Sequence, residues 1–230
     1  MHRPSCLLPL VATGLVACGG GEPSVAPAGP PVVTAIAPLT GLGSTSLTIS
    51  GTNLAGAIVR IGGEVARVTA ASATTLQVDL CNASGADCEP RGSAAGGGAL
   101  PVTVSASGQS ATAPNTYLLH TSATFLGGEW ETEPPSTGAG IVTRINAGGS
   151  VAVVTRVPAS ELLFTVGDTV NRALAKTAAY RWSGRGLIVN QATLARVLVD
   201  VTVTADGPDA LIVSFASGGT TRRKRLSSAR

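Results

Sequence analysis

The chain reads as all-β: a β-sandwich followed by a second antiparallel β domain, either a small barrel or another sandwich. Three observations predict this. Charged residues make up only 13% of the chain and aromatics 3%. Gly, Ala, Val, Thr and Ser dominate instead, which suits tight-turned sheets better than helix bundles built on Leu, Glu and Lys. Short stretches alternate apolar and polar residues in period two, and Gly, Pro, Asn and Asp punctuate them, as strands and turns require. At 230 residues the chain accommodates one to two domains.

The first 17 residues have the parts of an export signal. His2 and Arg3 form a weakly basic start, and residues 7–16 form an apolar run of the length of a signal h-region. A bilayer span takes about 20 apolar residues, and Pro9 disfavours a continuous helix. The tetrad Leu15-Val16-Ala17-Cys18 resembles the lipobox of bacterial lipoproteins. That resemblance implies diacylglyceryl transfer to the Cys18 thiol, cleavage before Cys18 and acylation of the new amino group. Each buried CH₂ of an acyl chain contributes about 0.8 kcal/mol, and two chains give stable anchoring. Gly19 rather than Asp follows the cysteine, which for such a lipoprotein implies the outer membrane of the cell envelope. The alternative is an ordinary signal peptide cut after Ala17, with Cys18 incidental. Residues 18–31 then form the lipidated Cys and a linker containing Pro23, Pro27, Pro30 and Pro31, a semi-flexible tether spanning roughly 20–40 Å.

Residues 32–119 carry the first run of strands. Residues 32–36 open it and Pro38 closes the opening strand; residues 46–50 alternate, with Leu47 and Ile49 on one face. Gly51-Thr52-Asn53 is turn chemistry. Residues 58–61 and 65–68 flank Gly62-Gly63-Glu64 as a hairpin. Residues 76–80, 101–105 and 115–118 complete the set.

These residues resemble the IPT/TIG domain family. Ile36-Ala37-Pro38 with Gly41 and Gly43 follows the opening pattern, and Leu47-Thr48-Ile49-Ser50-Gly51-Thr52-Asn53-Leu54 the following strand and turn. Val59-Arg60-Ile61-Gly62-Gly63, the stretch 72–78, Pro101-Val102-Thr103-Val104, Gly108-Gln109-Ser110 and Tyr117 follow the rest in order. The resemblance implies an immunoglobulin-like fold. The departure lies between Leu80 and Leu100, where the connection is longer than the family's and carries Cys81, Cys88 and a Gly96-Gly97-Gly98 run expected to be flexible. It reads as a decorated binding loop or as tolerated padding.

Residues 120–230 read as the second β domain. Strand patterns fall at 141–145, 150–157, 161–166, 187–189, 197–204 and 211–215, with 220–226 as a last strand. A single helical candidate covers residues 169–179, its apolar face mostly Ala; its length also suits a loop crossing the sheet. Gly128-Glu129-Trp130 is a G-x-W that weakly resembles the opening of lipocalin-like barrels; the plainer reading is a Trp that closes one end of a core.

The net charge of +3 comes largely from Arg222, Arg223, Lys224 and Arg225. No aromatic lies near that cluster, and with an export signal it does not point to nucleic acid. It reads as a solvated last strand or frayed tail, or as a contact for anionic headgroups or polysaccharide. Of four cysteines, Cys6 leaves with the signal and Cys18 is lipidated. Cys81 and Cys88 are expected to pair in an oxidising compartment, a closure contributing roughly 2–3 kcal/mol. The metal alternative lacks a nearby His and a zinc spacing.

Little here points to catalysis. Beyond the signal the only histidine is His120, and no G-x-S-x-G, H-E-x-x-H, Walker or dinucleotide pattern accompanies it. Glu129, Glu131 and Glu133 flank Trp130, as a solvated face or as acids beside a sugar; Glu129, Trp130 and Glu131 are therefore carried as candidate ligand contacts. Asp206 and Asp209 read as a turn rather than as calcium ligands. The expectation is a lipid-anchored envelope protein without cofactor or metal. It would serve as a non-enzymatic binding, spacer or adhesion module whose partners are the membrane and an envelope protein or polysaccharide. The alternatives are a lipocalin-like carrier of a small apolar ligand and a glycan-acting envelope enzyme.

Overall fold

The computed structural model describes residues 29–81 and 89–228. The signal, Cys18, most of the linker and Cys88 lie outside the described residues.

Three small sheets build the amino-terminal domain. β1 (Val32–Ala37), β3 (Leu47–Thr52), β7 (Thr75–Asp79) and β6 (Arg67–Ala71) form one, in the order β1-β3-β7-β6. β10 (Gln109–Thr112), β9 (Val102–Ala106), β4 (Ile58–Ile61) and β5 (Glu64–Val65) form the second, in that order. β2 (Thr40–Gly41), β11 (Tyr117–Leu119) and β8 (Gly98–Leu100) form the third, with β2 and β11 parallel. Period two decides the core. Leu47, Ile49, Val59, Ile61, Leu76, Val78, Val102 and Val104 are each 1% exposed or less, the inner faces of a sandwich. Gly41 belongs to this core for a steric reason: a Cβ there would sit 2.0 Å from Tyr117 Oη.

Three expectations change in this domain. The strand read at 65–68 breaks at buried Ala66, where the chain leaves β5 in one sheet for β6 in the other. Gly98 opens β8 rather than ending a flexible run, because its neighbours pair with β11. The short strand β2 carries no period-two signal and exists through its pairing with β11.

The carboxy-terminal domain is a closed barrel of eight antiparallel strands. They are β12 (Gly128–Thr132), β13 (Val142–Ile145), β14 (Ala152–Arg156), β15 (Thr169–Ala178), β16 (Arg181–Val189), β17 (Arg196–Ala205), β18 (Ala210–Phe215) and β19 (Thr220–Ser228). β19 pairs back onto β12, so no strand edge is left open. Closure settles the choice between barrel and sandwich.

Two readings of this half are corrected. The helical candidate at 169–179 is strand β15: its backbone groups pair with β14 and β16, and Ala173 adopts φ +51° at a bulge. Pairing in the closed sheet overrides the helical preference of Ala. The strand read at 161–166 is instead loop, with Leu162 90% and Val166 63% exposed. Its alternation has no core to face, and the Glu161 carboxylate turns the chain by accepting from the Leu163 and Phe164 amides.

The two domains meet at one end of the barrel. Helix α1 (Ser122–Phe125) lies there, and Leu42 of the first domain packs into the barrel core. Tyr180, in the β15–β16 turn, donates to the His120 carbonyl at 2.9 Å and accepts from Gly43 N–H at 2.9 Å. Ser122 Oγ accepts from the Tyr180 amide at 2.7 Å and donates to Glu89, which also pairs with Lys176 at 2.9 Å. Burial raises the Glu89 pKa, but the hydrogen bonds from Ser122 and Lys176 outweigh it and leave the carboxyl below its usual range.

Candidate functional site

Strand alternation sorts the side chains of the barrel wall. On β12, Gly128, Trp130 and Thr132 are buried while Glu129 and Glu131 are half-buried. Trp130 points into the lumen. Glu129 pairs with Arg144 at 2.7 Å and Glu131 with Arg156 at 3.0 Å on the outside. The three candidate contacts therefore do not converge on one site. Glu133 likewise holds Arg222, which also binds Asp206 at 2.8 Å. His120 is outside the wall strands, between β11 and α1, 5% exposed at the domain junction with its ring edge-on to Phe125.

The junction end of the lumen is plugged. Phe125 stacks on Trp182 with centroids 5.8 Å apart and contacts Trp130 at 5.5 Å. Trp130 Nε1 donates to the Leu126 carbonyl at 2.8 Å. The Arg225 guanidinium sits 4.2 Å from the Trp130 ring and 5.0 Å from Phe125. It donates to the carbonyls of Phe125, Gly127 and Pro208 at 2.8–3.2 Å. Burial lowers its pKa to about 10, so it stays charged at neutral pH. The G-x-W thus closes one end of the core, and its partner comes from the last strand.

Half of the basic cluster is internal, which corrects its reading as a solvated strand or tail. Arg222 and Lys224 are exposed; Arg223 and Arg225 face inward. Arg223 is 6% exposed and lies opposite Thr132 of β12. Its Nη1 donates to Thr143 Oγ1 and Asn171 Oδ1, each at 3.2 Å. Among the described residues, its Nε and Asn171 Nδ2 have no hydrogen-bond partner. The signal in the sequence is the alternation itself: Thr221, Arg223 and Arg225 share one face of β19.

The other end of the barrel is open. A cavity of about 390 Å³ is lined there by Leu163, Phe164, Leu187, Ile188, Phe215 and Thr221, among others. The size falls in the range of about 300–1,000 Å³ typical of small-molecule sites. Leu162, Val166, Leu194 and Val197 are exposed on the loops and strand ends around this mouth. The loop is pinned: Arg196 forms two hydrogen bonds of 2.7 Å with Asp168 and one of 2.9 Å with the Leu163 carbonyl. A second cavity, about 440 Å³, lies in the groove between the domains, but its Glu89, Ser122 and Lys176 already satisfy one another. Among the described residues, no three His, Cys, Asp or Glu side chains are placed to hold a metal, and no helix is long and apolar enough to cross a membrane. Cys81 is buried at the end of β7, and its sulfur is not a free thiol.

An immunoglobulin-like sandwich joined to a plugged, one-mouthed β-barrel defines the class of this protein. Residues 31–118 match the family model for the IPT/TIG domain. No curated protein matches the chain. Among solved structures, it is similar to a structural genomics protein of unknown function from Bacteroides thetaiotaomicron, at 12% identity and a TM-score of 0.33, covering 86% of this chain and 49% of that one. A putative phosphatase from the same organism matches at 14% identity and a TM-score of 0.32, covering 88% and 49%. An auxiliary nutrient binding protein from Bacteroides ovatus matches at 13% identity and a TM-score of 0.31, covering 87% and 60%. The chain thus spans about half the length of the first two.

Proposed function

We propose that the protein is a lipid-anchored, non-enzymatic binding module of the bacterial cell envelope, in which the IPT/TIG domain is the spacer and the barrel the binding unit. One observation carries this reading: the barrel is sealed at the junction end and keeps a cavity of about 390 Å³ at the other, where Leu163, Phe164, Leu187, Ile188 and Phe215 outweigh the polar Thr137, Gln191, Thr220 and Thr221. A small, largely apolar ligand is the occupant such a lining suits, since its apolar surface leaves water against the aliphatic and aromatic side chains while the few polar groups at the wall fix its orientation. Glu129 and Glu131 are each held by an arginine on the outer face of the wall, which weighs against the glycan-acting alternative.

The neutral probe N-phenyl-1-naphthylamine is expected to bind the full chain saturably, and decan-1-ol to displace it. Ile188→Asp places a charge on the mouth wall and is expected to weaken binding at least tenfold with little change in melting temperature. Probe binding that fails to saturate, or that ignores Ile188→Asp, would sink the reading.

The anchor is tested separately. Cys18→Ser is expected to abolish acyl labelling and to release the protein from membranes washed with carbonate. A variant that stays with washed membranes counts against anchoring through Cys18. The Cys81–Cys88 bridge belongs to the same proposal, because an exported chain matures where thiols are oxidised.

A further inference from the structure

We infer that the barrel binds an amphipathic carboxylate, its apolar body in the mouth and its carboxylate on Arg223 and Asn171. This rests on the reading of the barrel as the binding unit and goes on to name the ligand's class.

The reason is an uncompensated charge. Arg144, Arg156, Arg185, Arg196 and Arg222 each pair with a carboxylate. Arg225 donates to three backbone carbonyls through Nε, Nη1 and Nη2, with Asp209 at 3.8 Å. Arg223 is buried with no acid beside it among the described residues and binds two neutral oxygens. An isolated buried cation is costly, and an unsatisfied donor adds to the cost. Among the described residues this hydrogen-bonded pair leaves two donors unsatisfied, Arg223 Nε and Asn171 Nδ2. A single anionic acceptor would satisfy both and neutralise the guanidinium, which burial leaves at a pKa of about 10 and therefore charged at neutral pH.

Position supplies the apolar half. Thr221, the next inward residue on β19, lines the mouth cavity, as does Phe215. Gly186 shows how close the polar pair lies to that floor. A Cβ on Gly186 would be 3.2 Å from Phe215 Cε1 and 3.3 Å from Asn171 Nδ2. Val201 Cγ1 is nearer still, at 2.4 Å, so Val201, the Phe215 ring and the Asn171 amide all pack over Gly186 of β16. The apolar mouth and the polar pair thus follow one another along the inner face of β19, at Thr221 and Arg223, and the ligand this suits has an acyl-like body ending in one carboxylate.

The test titrates the purified full chain with decanoate and with decan-1-ol, which share a chain length and differ in charge. At neutral pH decanoate is expected to bind at least tenfold more tightly, and Arg223→Met to erase that preference while leaving decan-1-ol binding in place. Equal binding of the two by the wild type overturns the assignment and leaves the barrel as an apolar binder; binding of neither removes the underlying reading as well. Should Arg223→Met fail to fold, the ¹³C carboxyl resonance of labelled decanoate on the wild type decides alone. It is expected to titrate at lower pH than in free decanoate, and titration at the free value overturns the proposal.

Discussion

Trp130→Ala is expected to destabilise the barrel by about 3–5 kcal/mol, the usual cost of removing a large aromatic from a core. Trp130 is 0% exposed and sits where several contacts meet. Its indole N–H satisfies the Leu126 carbonyl, its ring packs on Phe125, and its face carries the Arg225 guanidinium. Truncation opens a cavity, leaves that carbonyl without its donor, and strips an aromatic face from a buried cation. Such a desolvated cation–π contact contributes about 2 kcal/mol, and the losses overlap rather than add. Against a typical domain stability of 5–15 kcal/mol, the change is a large fraction of the whole. Trp130→Phe keeps the ring and is expected to lose much less. Denaturant unfolding of both variants checks this; a Trp130→Ala loss below about 1 kcal/mol would show that the plug does not hold the barrel together.

The second large effect is on pH dependence. His120 is buried at the domain junction, and burial, then the nearby Arg225 charge, push its pKa down to about 4, with Asp209 opposing. In the unfolded chain a histidine titrates near 6.5. Between those values the unfolded state takes up the proton first, so stability falls as pH drops from about 6.5 to about 4 and levels off below. The full loss approaches about 3 kcal/mol. His120→Gln removes the titration and is expected to flatten the melting temperature across this window. Parallel profiles for the two proteins would refute the assignment. Asp168 does not confuse the measurement: hydrogen bonds from Arg196 outweigh its burial and lower its pKa to about 2, so its stabilising contribution is lost only as pH falls from about 4 through 2.

Legibility in the sequence followed locality. The inner faces of β3, β4, β7 and β9 were readable because each strand alternates by itself. The IPT/TIG motifs were readable because their glycines mark local turns and close approaches. The plug was half readable: G-x-W announces Trp130, but nothing beside it names Arg225, 95 residues further on. Arg222–Arg225 looked like a single patch of charge, although period two sends alternate members to opposite sides of a wall. Residues 161–166 and 169–179 misled for a related reason, since alternation without a core is loop and Ala-rich sequence between two partner strands is sheet.

By itself, then, the sequence determined an all-β chain, a sandwich first and an antiparallel domain second, because turns and period-two strands are local properties; the immunoglobulin-like character of the first domain was what its resemblance to the IPT/TIG family implied. Only the tertiary structure decided that the second domain closes into a barrel, that Trp130 and Arg225 seal one end, and that Arg223 is buried in the wall with no acid beside it among the described residues. Closure depends on β19 meeting β12 across the length of the domain. Which side of a strand is inside has no meaning until that pairing is made.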